Sequence, residues 1–150
     1  MVTIVTRVMA RDIGGETFKV TTGRSTLSDD APQHTLVSIL PCTDMEASTE
    51  FYARIGLKLQ NDYGTYRILA DGKGGFLHLS TESPHGWVVP GRNPNGLYFC
   101  SEDVAAIAAG IPDLLPGGGP EHRPWGMYEV SLSDPDGTLV RIGWPSHLIG

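Results

Sequence analysis

Apolar positions along the chain follow two rhythms, and the switches between them mark the elements. Thr35-Leu36-Val37-Ser38-Ile39-Leu40 is a short strand-like run, closed by Pro41-Cys42-Thr43-Asp44. Asp44 is a side chain suited to cap a helix. Behind it Met45, Ser48, Phe51, Tyr52 and Ile55 recur at helical spacing, and Gly56 follows as a stop. The period then returns to two. Strands are predicted over Lys58–Asn61, Tyr66–Leu69 and Phe76–Leu79, divided by Gly64 and by the turn sequence Asp71-Gly72-Lys73-Gly74-Gly75. The order is β-α-β-β-β.

A polar, proline-rich stretch from Glu82 to Pro94 leads to a second copy. Gly96–Cys100 reads as a strand, Asp103 as a helix cap, Val104–Ala109 as a helix ended by Gly110. Trp125–Leu132 and Thr138–Ile142 read as strands joined by the turn Asp134-Pro135-Asp136-Gly137. The first strand after this helix is blurred and is placed near Asp113–Leu115. Asp44 and Asp103 stand 59 residues apart, and the two glycine turns are offset by 63. That second register sets His78 against Arg141 and Tyr66 against Glu129. An internal repeat of this kind defines the architecture before any single element does. The fold class predicted is α+β, two tandem β-α-β-β-β modules, about 34–82 and 95–145, forming a concave mixed sheet around a shared pocket.

Residues 1–33 follow neither rhythm. They read as an N-terminal extension, a hairpin or arm followed by the polar linker Gly23–Gln33, ahead of a domain over 34–150. The 150 residues suffice for one domain with a core of its own. Gly 19 and Pro 11 make one residue in five a turn former, which favours many short elements. A net charge of −6 is the wrong sign for a phosphate-backbone binder, so nucleic acid is not expected as a partner. No apolar run approaches the ~18 residues of a membrane span. The start of the chain lacks an apolar leader of secretory length, so a cytoplasmic location is expected, with no membrane partner.

Cys42 and Cys100 fit neither a disulfide framework nor zinc spacing, and both are expected as buried free thiols. The five histidines show no metal-binding spacing; His34, His85, His122 and His147 are expected in solvent. Ser38 and Ser48 have no recognisable His/Asp arrangement, so no catalytic residue is assigned.

The helix Asp44–Gly56 resembles the first helix of the vicinal oxygen chelate superfamily, which holds glyoxalase I, extradiol dioxygenases and bleomycin-resistance proteins. Pro124-Trp125-Gly126-Met127-Tyr128-Glu129 with Asp134-Pro135-Asp136-Gly137-Thr138 is similar to the bleomycin-resistance branch, and the likeness covers about 34–145. Enzymes of that superfamily bind a divalent metal. The resemblance puts its ligand positions at Val37 and Gly96, seven residues before Asp44 and Asp103, and at His78 and Arg141. Val37 and Gly96 carry no donor and Arg141 is a permanent cation. One imidazole does not hold a divalent ion, so neither metal nor cofactor is expected. The resemblance then implies a homodimer that sequesters a small planar or cationic drug of the bleomycin type, with Trp125, Tyr66 and Tyr63 as stacking groups. His78, Arg141 and Glu129 complete the ligand-binding set. Two other functions stay open: an enzyme of the same fold, metal-dependent or metal-free, and a sensor or carrier of a metabolite.

Each of these side chains also has a plainer use. Trp125 can fill core, and Tyr63 and Tyr66 can make cross-strand pairs. Trp87 and Trp144 are read as packing residues. Glu129 and Arg141, on adjacent strands by the repeat, can be a structural ion pair.

Overall fold

A computed structural model describes residues 35–82 and 93–150. The extension expected over 1–33, His34, His85 and Trp87 all lie outside the described residues. The first module runs β1 (Ser38–Pro41), α1 (Met45–Arg54), β2 (Lys58–Asp62), β3 (Tyr66–Ala70) and β4 (Phe76–Ser80). The second runs β5 (Gly96–Cys100), α2 (Val104–Gly110), β6 (Glu121–His122), β7 (Met127–Ser133) and β8 (Leu139–Pro145). Each module makes its own four-stranded mixed sheet, in the orders β1-β4-β3-β2 and β5-β8-β7-β6. Ile39 faces His78 across the parallel β1–β4 pair, and Tyr98 faces Arg141 across β5–β8. The second pair is the first carried over by the two offsets read from the repeat, 59 from Ile39 to Tyr98 and 63 from His78 to Arg141.

α1 forms because its ends are closed. Asp44 Oδ1 accepts the Ala47 N–H at 2.9 Å, and Gly56 takes φ 102° just past the Ile55 cap. Met45, Ser48, Phe51 and Tyr52 are its buried face. Phe51 and Tyr52 meet edge-on at 5.1 Å between ring centres, each ring contributing about 1.5–3 kcal/mol by burial. One apolar core serves both modules, drawing Leu69, Leu77 and Leu79 from the first and Ile111, Val130, Val140 and Ile142 from the second.

The turns lock the modules together. Tyr52 Oη donates to Asp134 Oδ2 at 2.8 Å, while Asp134 Oδ1 accepts the N–H groups of Asp136 and Thr138. Asp136 in turn accepts from Thr43 N–H at 2.9 Å and from the Thr43 hydroxyl. Both aspartates are buried and act as turn and cross-module acceptors. On the other side Lys73, in the β3–β4 turn, reaches Asp103 Oδ2 at 2.6 Å.

Four expectations change. The first strand after the helix in the second module is not at Asp113–Leu115; Pro112–Leu114 is a 3-10 turn, and the strand is the two-residue β6 paired with β7. Asp103 makes no side-chain cap, because Lys73 holds its carboxylate. Cys42 is buried, but Cys100 is exposed: it alternates outward with Gly96 and Tyr98 on β5, the edge of its sheet. Trp125 precedes its strand and sits in the turn between β6 and β7, where Gly126 takes φ 84°.

Candidate ligand-binding site

Each sheet has one face against its helix and the core. The opposite, outward faces carry the polar residues singled out above. On the first sheet, Tyr66 Oη and His78 Nδ1 are 2.7 Å apart, and the rings meet edge-on at 5.4 Å. Antiparallel pairing places Ile68 opposite His78, with Phe76 two residues along. Ile39, 57% exposed, and Phe76, 40% exposed, flank the pair.

On the second sheet, Glu129 and Arg141 stand on adjacent strands, with Arg141 Nη1 3.9 Å from Glu129 Oε1. A residue that sequence reasoning missed completes the group: Tyr98 Oη donates to Glu129 Oε2 at 2.7 Å. Burial first, then this bond to a carboxylate, pushes the Tyr98 phenol up to about 12. The bond runs over Gly143, where a Cβ would collide with Tyr98 Oη and lie 2.8 Å from Glu129 Cβ. The signal for Tyr98 was its outward place in the alternation of Gly96–Cys100, two positions beyond Gly96. Glu129 is 1% exposed, whereas the Arg141 side chain remains 42% exposed.

The repeat therefore brings the four central residues together as two equivalent pairs, Tyr66–His78 and Glu129–Arg141. It does not gather the outer aromatics. Tyr63, 65% exposed, lies in the link between β2 and β3, and Trp125, 59% exposed, in the β6–β7 turn. A cavity of about 630 Å³ opens between the β3–β4 turn, the end of α1 and β5, lined by Leu36, Ile55, Leu57, Phe76, Tyr98 and Trp144 among others. It touches the outward faces at Phe76, Tyr98 and Cys100, and none of the six predicted ligand-binding residues lines it.

The superfamily metal does not fit here. Val37 and Gly96 offer no donor, and Arg141 is turned to Glu129. His78 is left as a single ligand, with Nδ1 taken by Tyr66. Among the described residues no three His, Cys, Asp or Glu converge on one point.

The sequence profile of the Glyoxalase/Bleomycin resistance protein/Dioxygenase superfamily matches residues 31–142. The chain belongs to this superfamily. Among solved structures, this superfamily member is similar to a bleomycin-binding protein crystallised with bleomycin, at 23% identity and TM-score 0.62 over 75% of this chain and 98% of that one. It is similar to TnmS3, an antibiotic-binding protein from a Streptomyces species, at 28% identity and TM-score 0.60 over 77% and 98%. It also resembles a lactoylglutathione lyase from Agrobacterium tumefaciens, at 22% identity and TM-score 0.56 over 79% and 98%. No curated protein matches the chain. Among the described residues no helix is long and apolar enough to cross a membrane.

Proposed function

We propose that this protein binds a small planar molecule on the outward faces of its sheets, without a metal, and sequesters a drug of the bleomycin type in clefts completed by a second copy of the chain. One observation carries the reading. Faces that a single chain leaves in solvent present Ile39, Phe76 and Leu139 beside two polar groups, Tyr66 with His78 and Tyr98 with Glu129 and Arg141. Exposed apolar surface arranged in this way marks a binding or association surface. The solved relatives that bind bleomycin and an antibiotic support the same reading. The donor set argues against the superfamily's metal chemistry, and so against an enzyme of the lyase or dioxygenase kind.

Sedimentation at micromolar concentration is expected to give a mass near twice 16.2 kDa. Titration with a bleomycin-type glycopeptide is expected to change tryptophan fluorescence, and Trp125→Ala to weaken binding by about 1–3 kcal/mol, roughly 5- to 150-fold. The thermal midpoint of that variant separates lost binding from lost fold. Tag-free protein is expected to carry no stoichiometric divalent ion. One Zn, Fe, Ni or Mn per chain, lost on His78→Ala, would restore the enzyme. Absence of binding by any bleomycin-type compound would leave the metabolite carrier in its place.

A further inference from the structure

The two polar pairs occupy equivalent positions of the repeat but differ in one respect. Tyr66 and His78 satisfy each other at 2.7 Å, so that pair is closed. The second pair is open. Arg141 Nη1 is 3.9 Å from Glu129 Oε1, beyond hydrogen-bond distance, and Arg141 Nε is buried with no partner among the described residues. A guanidinium has five N–H donors and no acceptor, and unfilled donors near apolar surroundings are costly. Tyr98 Oη, which donates to Glu129 Oε2, makes no hydrogen bond to Arg141 among the described residues. Glu129 lies beneath and supplies counter-charge without covering the exposed part of the guanidinium. Tyr98, 44% exposed, is the direct cross-strand neighbour of Arg141.

We propose that Tyr98 and Arg141 form a subsite for the oxygen-bearing edge of a planar ligand, the ring resting against Tyr98 and a carbonyl or carboxylate oxygen accepting from Arg141. This rests on the small-molecule reading above and adds a polarity to it: this end of the ligand is an acceptor, and any cationic group lies elsewhere. A cation placed here would face the guanidinium. Glu129 is a positioning residue, fixing the Tyr98 hydroxyl and compensating Arg141 from below. A neutral carbonyl and a carboxylate share the acceptor chemistry, and the test separates them.

The test titrates the full isotope-labelled chain with benzamide, benzoate and benzamidinium, which share a ring and differ at its edge, following backbone amide shifts. Benzamide or benzoate, or both, are expected to move the amides of residues 98 and 141–143 and to bind at least tenfold more tightly than benzamidinium. The tighter of the two identifies the source of the oxygen. Arg141→Met is expected to erase that preference; Arg141→Lys, which keeps the charge and loses the fork, is expected to retain part of it for benzoate alone. The Lys variant serves if the Met variant lowers the thermal midpoint. If benzamidinium binds as well as the others at these amides, the binding surface stands and the polarity assigned to Arg141 is wrong. If a bleomycin-type compound binds while none of the three probes moves these amides, the subsite is wrong and the function stands. A preference unchanged in both Arg141 variants also overturns it.

Discussion

Gly143 decides whether Tyr98 and Glu129 can meet, because any side chain there occupies the path of the phenol. Gly143→Ala is therefore expected to displace Tyr98 and cost about 1–3 kcal/mol, read as a lower thermal midpoint. Adding Tyr98→Phe, which removes the colliding hydroxyl, is expected to recover part of the loss. The same phenol gives an alkaline signature. Its folded pKa is about 12 against an ordinary 10, so its contribution is complete below pH 10 and is lost as pH rises to 12. The native protein should lose stability over that interval more steeply than Tyr98→Phe, in denaturant titrations at stepped pH. The two thiols divide in a similar way. Burial pushes the Cys42 thiol up, and Cys100 is exposed, so a thiol reagent should label one cysteine promptly and Cys100→Ser should abolish that fast phase.

Among the elements, α1 and β3 are joined by one buried cation. Arg67 donates to Asp62, Glu46, Thr49 and the Met45 carbonyl, and its side chain is 10% exposed. The hydrogen bond from Arg67 holds the Glu46 carboxyl below its usual range, and the Gly64 N–H, then Arg67, does the same for Asp62. Lowered carboxylate values mean stability present above the ordinary carboxylate pKa and lost as pH falls below it. Arg67→Met should lower stability by about 1–3 kcal/mol at neutral pH, since it strands several partners. It should also flatten the acid limb of the thermal midpoint. These elements show what the sequence could reveal. α1 was legible from Asp44 to Gly56 because cap, stripe and stop all agree locally. The Glu129–Arg141 adjacency was legible because the repeat transmits a register. β6 was not, since two residues carry no alternation and its pairing with β7 is a tertiary fact. Asp103 looked like Asp44 and behaves otherwise, because Lys73, thirty residues earlier in the chain, claims its carboxylate. Tyr98 was marked only by its outward place in the alternation of Gly96–Cys100, and its bond to Glu129 is a tertiary fact.

At the scale of the whole molecule, the repeat is reciprocal: the turn of each module grips the other module's helix or the residues just before it. The second turn does so through Asp134 and Asp136 on Tyr52 and Thr43, the first through Lys73 on Asp103. Tyr52→Phe should cost about 1–3 kcal/mol, and Asp134→Ala more, since it orphans the phenol and two backbone N–H groups together. Both variants should still melt in a single calorimetric transition, because the core they disturb is common to the two modules.

Such mutual dependence makes the peptide link between the modules dispensable once folding is complete. A chain cut between residues 82 and 93 would yield two pieces, one holding the phenol and the other its carboxylate. Neither should form a stable structure alone, yet mixing them should rebuild the whole without a covalent bond.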